Sequence, residues 1–301
     1  MKRIYYFLFI IPLLFTMESC LNLDSMLYDN TTTDEYLLDN YDGYLQFRIP
    51  DEYKIPTEKI NLITFVSDNN GNKATIYAIY VGDISKISTD TVILYCHGNA
   101  NNMDYYWPRT KLLANVGGKN HYGVLIFDYR GYGKSEGIPS EDNLYADTKA
   151  ALQWLKSNGL TNDRLVVYGY SMGTAPATEI CANPDDYPLT PSWLILESPF
   201  ASSDVMVQNA SVLNLPHSFF TNLKIDNAEK IKYVSVPFMW LHGVNDDFLN
   251  METNGEVVFK NYKGPYKEAH RIKGATHSDV PKVMGFQNYI NAVYKFISQP
   301  H

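Results

Sequence analysis

Two segments of alternating apolar and polar residues, 61–67 and 75–81, flank the polar stretch SDNNGNK. The Asn70-Gly71 pair inside that stretch is a hairpin signal, so the two segments are expected to form paired antiparallel strands. Beyond them the pattern changes. Short continuous apolar runs at 92–95, 124–127, 165–168, 193–196 and 238–241 alternate with helix-like segments. Runs of this kind suit strands buried on both faces, and their alternation with helices predicts an α/β fold. The expected architecture is a mostly parallel sheet with helices on both faces. The clearest helix is expected at 143–157, where Leu144, Ala151, Leu152 and Leu155 form one apolar stripe. The following Ser-Asn-Gly ends it, with Gly159 suited to a left-handed cap. No internal repeat or low-complexity tract interrupts the chain.

The two ends of the pattern differ from its middle. Lys2 and Arg3 precede an apolar block over 4–17, shorter than a membrane span and suited to the core of a signal peptide. Residues 1–19 are therefore expected to be an export signal. Residues 21–52 carry eight acidic side chains against the single Arg48 and show no sustained period. They are expected to form a tether and N-terminal extension, reaching to about residue 58, before one catalytic-size domain over 59–301.

Composition narrows the function. A 301-residue chain that is 45% hydrophobic can bury a sizeable core. The net charge of −8, with no Lys/Arg cluster beyond the first three residues, argues against a nucleic-acid partner. The three cysteines, Cys20, Cys96 and Cys181, have neither disulfide-framework nor zinc-site spacing. No phosphate loop, dinucleotide fingerprint or metal-ligand cluster is present, so no cofactor is implied. The 24 tyrosines are an excess with no functional reading of their own.

One turn carries chemistry. In LVVYGYSMGTAPA, residues 165–177, an apolar run passes through Gly169-x-Ser171-x-Gly173 into small residues. Strand before and helix after make the motif more than a chance match. Glycines at 169 and 173 allow strand and helix to approach closely, while Ser171 takes an unfavourable backbone conformation that projects its hydroxyl above the sheet. The Met172 N–H then lies at a helix start, where it can face a developing negative charge. A serine hydroxyl is a poor nucleophile, so it needs a neutral histidine as base and a carboxylate to orient that histidine.

Several stretches together resemble the α/β-hydrolase superfamily over about residues 60–297: ILYCHGNANN, FDYRGYGKSEGIPSE, GYSMG, ESPFAS, VPFMWLHGVNDDFL and IKGATHSD, in that order. The resemblance is to the branch that includes serine-aminopeptidase-like hydrolases and protein depalmitoylases. It implies the chain order Ser171, Asp246, His277 for a catalytic triad. The family acid stands three positions after the glycine of the His-Gly turn, which selects Asp246 over the adjacent Asp247; Asp204 is the next candidate. The resemblance also implies Asn99 as the second oxyanion donor beside Met172. Of the seven histidines, His277 lies on a loop after a final strand near 269–272, where open α/β sheets place their sites. His97 is expected to be a structural loop histidine, and Asp128 and Arg130 to hold their loop by charge-assisted bonds. Ser19-Cys20 after the apolar block resembles a bacterial lipoprotein signal, which implies lipidation at Cys20 and membrane attachment. A plain secretory signal and an uncleaved anchor are the alternatives.

Residues 201–236 hold Met206, Val207, Leu213, Leu215, Phe219 and Phe220, too much apolar surface for a free loop. They are expected to form a small cap between the sixth and seventh strands, lining a pocket for an acyl or aliphatic group. A helix packing those side chains into the core is the alternative. The function expected is a serine hydrolase acting on a carboxylic ester or thioester of a small-molecule or acylated substrate. A peptide bond near a free N-terminus is the second reading, and a non-catalytic cell-surface binding protein on the same fold the third. Oligomeric state is open.

Overall fold

The computed structural model describes residues 28–119, 121–210 and 222–299. The expected leader with Cys20, and residues 211–221 of the expected cap, lie outside these. Eight strands form one sheet: β1 (Ile60–Asn69), β2 (Asn72–Val81), β3 (Val92–Cys96), β4 (Gly123–Phe127), β5 (Leu165–Tyr170), β6 (Trp193–Glu197), β7 (Phe238–Gly243) and β8 (Lys267–Ile272). Their order across the sheet is β1-β2-β4-β3-β5-β6-β7-β8. The β1–β2 and β2–β4 pairs are antiparallel and every other pair is parallel.

The hairpin forms where the Asn-Gly signal stands. Asn69 pairs with Asn72, and Asn70 and Gly71 both take positive φ, which matches the twist of the flanking strands. Each interior strand feeds two cores. Leu94, Leu125, Val167 and Leu196 point into one, against α2 (Glu141–Ser157), α3 (Thr174–Ala182) and α6 (Gly255–Asn261). Ile93, Ile126, Tyr168 and Ile195 point into the other, against α1 (Met103–Ala114) and α8 (Phe286–Ser298); α5 (Asn227–Lys230) and α7 (Val280–Met284) are short helices between α3 and α8 in the chain. This is why the strands read as unbroken apolar runs. Helix α2 begins at Glu141, two residues before its apolar stripe predicts, because the Ser140 hydroxyl caps it by accepting from the Asn143 N–H. Gly159 has φ of 92° after its end. Tyr80, Tyr95, Tyr106, Tyr129, Tyr132, Tyr168, Tyr170 and Tyr289 are fully buried, so much of the tyrosine excess is core.

The N-terminal extension departs from a loose tether. From residue 28 onward it is built into the domain. Asp29 and Asn30 pair in parallel with Ala100 and Asn101, and Phe47, Tyr53 and Ile55 are buried with α1 and α8. The Leu37 and Leu38 N–H groups both donate to the Asp104 carboxylate. Sparse apolar residues and irregular backbone dock this segment, so no period marks it in the sequence.

Candidate active site

The turn between β5 and α3 holds its serine as the glycines require. Ser171 is at φ 51°, a left-handed conformation that costs a non-glycine residue on the order of 1–3 kcal/mol and persists only where the surroundings enforce it. A Cβ on Gly169 would lie 2.8 Å from the Ala177 Cβ, and one on Gly173 would collide with the carbonyls of Cys96 and His97. Only glycine at both positions lets α3 start directly over the sheet.

His277 follows β8 at the sheet's carboxyl end, on the loop of residues 273–279. Its Nε2 is 2.9 Å from Ser171 Oγ and its Nδ1 is 2.8 Å from Asp246 Oδ2. The three residues separated by up to 106 positions thus form one continuous hydrogen-bonded line. Asp246 is buried, whereas Asp247 is exposed and its side chain is absent from that line. The Asp246 carboxylate also accepts from the Phe248 and Leu249 N–H groups, at 3.0 and 2.7 Å, through Oδ1. Burial works to raise its pKa. Hydrogen bonds from His242 and His277 overcome that effect and hold the carboxyl well below its ordinary range. Asp204 lies instead in the first turn of α4 (Ser203–Ala210).

His242, the histidine of the His-Gly turn before Asp246, is a partner that nothing in its sequence context marks. It is fully buried, and its Nδ1 accepts from the Trp240 indole N–H at 3.3 Å. In the neutral ring the remaining proton is then on Nε2, which faces Asp246 Oδ2 at 3.0 Å and the Leu249 carbonyl at 3.0 Å. Asp246 therefore has a donor on each side and a carboxylate fixed in direction.

Across the serine, the loop after β3 carries Asn99. The Asn99 carbonyl accepts from the Asp29 N–H at 3.1 Å and the Tyr132 hydroxyl at 2.9 Å, which fixes the Asn99–Ala100 peptide unit that follows the Asn99 N–H. His97 is fully buried among Tyr106, Tyr129 and Tyr132, with Nδ1 2.7 Å from the Gly98 carbonyl and Nε2 3.3 Å from Asp128 Oδ1. Asp128 Oδ2 accepts from the Tyr36 hydroxyl of the extension. Arg130 turns away to Asp147, Ser67 and the Asn72 carbonyl. Neither His97 nor these two charged groups touches Ser171.

Asn99, Ser171 and Met172 line a cavity of about 20 Å³ with Phe200, Met206, Phe248 and Leu249. Met206 of the expected cap both lines this cavity and packs on the core, so the two sequence readings of that residue meet in one side chain. The Phe248 ring stands 5.0 Å from the His277 ring and is 56% exposed. A larger groove of about 920 Å³ runs between Tyr28, Asn30, Gly137 and Leu223 and includes none of Ser171, Asp246 and His277. Among the described residues no cluster of three or more His, Cys, Asp or Glu could hold a metal ion, and no helix is long and apolar enough to cross a membrane. Cys96 and Cys181 are buried and unpaired in disulfides.

Sheet order, serine turn and loop placement define the α/β-hydrolase fold, and this chain has it. A family model described as alpha/beta hydrolase fold matches residues 91–188. Human alpha/beta hydrolase domain-containing protein 17B is 27% identical over 208 residues, covering 69% of this chain and 66% of that protein. Lysophosphatidylserine lipase ABHD12 of Macaca fascicularis is 28% identical over 217 residues, covering 65% of this chain and 53% of that one. The chain thus spans just under two thirds of the first relative's length and about half of the second's. The solved Pyrococcus furiosus esterase Pf2001 superposes with a TM-score of 0.64 at 17% identity, covering 90% of this chain and 97% of its own. The chain is similar to these proteins, and what it shares with the solved esterase is the fold.

Proposed function

We propose that the chain is a serine hydrolase that cleaves a carboxylic ester or thioester through an acyl-enzyme. The observation that carries this reading is the unbroken Ser171–His277–Asp246 hydrogen-bonded line beneath a cavity shared with Asn99 and Met172. Ser171 Oγ attacks the substrate carbonyl carbon while His277 Nε2 takes its proton. Asp246 keeps the other His277 proton on Nδ1 and stabilises the imidazolium that forms. The carbonyl oxygen becomes an oxyanion held by the Met172 and Asn99 N–H groups, where preorganised donors act without reorganising. As the tetrahedral intermediate collapses, His277 gives its proton to the departing alcohol or thiol. Water then attacks the acyl-enzyme by the same route in reverse and frees Ser171.

The bond type rests on the lining. Apart from Asn99 and Ser171 the cavity walls are Met172, Phe200, Met206, Phe248 and Leu249, which favours an acyl group over the charged N-terminus a peptidase of this fold would have to hold. The names of the Pyrococcus esterase and of the lysophosphatidylserine lipase point the same way. A space of about 20 Å³ admits roughly one water, so Phe200, Met206 or Phe248 must yield as an acyl chain enters. The test is a series of p-nitrophenyl esters of increasing chain length beside aminoacyl-nitroanilides. Ester turnover that falls by about ten-thousand-fold or more in Ser171→Ala is expected. Turnover confined to the nitroanilides would make the chain a peptidase. The export and anchoring read from the leader is proposed with it: Cys20→Ala should release the protein from membranes or block its maturation, and normal processing with retained membrane binding contradicts lipidation.

A further inference from the structure

Beneath the His277 loop lies a fully buried ion pair that the mechanism above does not use. Arg109 of α1 donates from Nη2 to Glu197 Oε1 at 2.8 Å and from Nε to Oε2 at 3.4 Å. Both side chains are completely buried. Glu197 ends β6, and its Oε2 also accepts from the Tyr168 and Tyr289 hydroxyls. Withdrawing two charges from water costs several kcal/mol per ion, and an apolar pair of like volume often serves stability as well or better. Such a pair calls for a reason other than folding.

The geometry supplies one. Arg109 Nη2 also donates to the Ser278 carbonyl at 3.2 Å, one residue past His277. The guanidinium lies 4.1 Å over the Tyr170 ring, one residue before Ser171. The Tyr170 hydroxyl is 3.4 Å from both the His277 carbonyl and Ser278 Oγ, and the Ser198 hydroxyl donates to the same His277 carbonyl at 3.3 Å. The N-terminal extension closes the arrangement. Gln46 Oε1 accepts from Arg109 Nη1, Gln46 Nε2 donates to the Tyr170 hydroxyl at 2.8 Å, and the guanidinium stands 5.3 Å over Phe47. One planar cation therefore touches the residue before the nucleophile, the residue after the base and the extension at once.

We infer that Arg109 is a positioning residue that sets the His277 imidazole against Ser171 through the Ser278 carbonyl and the Tyr170 ring, with Gln46 of the extension locking its fork. Glu197 fixes the direction of the guanidinium, and its burial is the cost of that direction. A lysine keeps the charge opposite Glu197 but offers a point of charge in place of a fork, so it loses the simultaneous contacts.

This inference rests on His277 being the base, and its test separates the two. Arg109→Lys and Gln46→Leu are compared with wild type for kcat, KM and the far-downfield proton resonance of His277 Nδ1–H. Expected are a fall in kcat of about tenfold or more for Arg109→Lys with KM within about twofold, and a smaller fall in the same direction for Gln46→Leu. The His277 resonance should shift or broaden in both, since the ring loses its fixed approach to Asp246. Wild-type kcat and an unchanged resonance in Arg109→Lys, whatever its melting temperature, would overturn the inference. Should Arg109→Lys fail to fold, an unchanged Gln46→Leu overturns it equally. A wild type that turns over neither esters nor aminoacyl-nitroanilides removes His277 as base, while the resonance still decides whether Arg109 holds the ring.

Discussion

The turn that carries Ser171 and the loops that carry Asp246 and His277 reach the same precision by opposite means. The serine turn is fixed by what is missing. Two absent Cβ atoms at Gly169 and Gly173 bring α3 onto β3 and β5 and enforce the left-handed backbone of Ser171. The loops of Asp246 and His277 are fixed by what is added. His242, Trp240 and the Phe248 and Leu249 N–H groups surround Asp246, while Arg109, Tyr170 and Ser198 hold the backbone beside His277. One half is encoded within five residues. The other is assembled from five separate parts of the chain. Damage to the first should show as lost structure, and damage to the second as lost chemistry.

Substitution tests that contrast directly. Asp246→Asn keeps the shape but lets His277 adopt the wrong tautomer, a change that costs about ten-thousand-fold in serine proteases. A fall in kcat of at least about a hundredfold is expected in protein that still folds. Gly173→Ala should do the reverse. The new methyl would stand 2.0 Å from the Cys96 carbonyl oxygen and 2.6 Å from that of His97, backbone atoms that cannot swing aside as a side chain can, so a loss of about 2 kcal/mol or more of folding free energy is expected. A Gly173→Ala protein as stable as wild type would mean that the turn is not set by close approach. Asp247→Asn, on the exposed neighbour, should cost less than about tenfold in kcat. A larger loss there than in Asp246→Asn would transfer the acid role to Asp247.

The smallest effect expected is in acid stability. Burial tends to raise the Asp246 pKa, but its histidine bonds hold the folded value below that of the unfolded chain, near 3.9 for an ordinary aspartate. Its contribution is therefore present above about pH 4 and drains away as pH falls through the depressed folded value. Thermal melts of wild type should lose ground faster than those of Asp246→Asn between about pH 4 and pH 2. Equal slopes would show that the network around Asp246 does not favour its ionised form.

The same division explains what the sequence reveals. The sheet is legible because its strands are buried on both faces, and the Ser171 turn because its glycines stand beside it. Strand β8 shows few apolar residues because it is an edge strand, paired among the described residues only with β7. His277 is marked only by the family resemblance and its place after the last strand, since nothing in its own neighbours names a base. Arg109 leaves no signal, because it sits amid the aromatic residues of α1 and its partner Glu197 is 88 positions away. The extension is legible only as acidic and aperiodic. Its role is carried by single side chains, Tyr36 at Asp128, Gln46 at Arg109 and Phe47 in the core, and single contacts have no period.

The account turns on Ser171 being a nucleophile activated by its neighbours, and covalent trapping reads that state without any assumption about the natural substrate. Folded wild-type protein is treated with a fluorophosphonate probe, digested and analysed by mass spectrometry, beside Ser171→Ala and Asp246→Asn. One probe per chain on the peptide bearing Ser171 is predicted, absent in Ser171→Ala and formed far more slowly in Asp246→Asn. Folded wild type that takes up no probe, or takes it up at another residue, would contradict the central claim and leave a binding protein on a hydrolase fold.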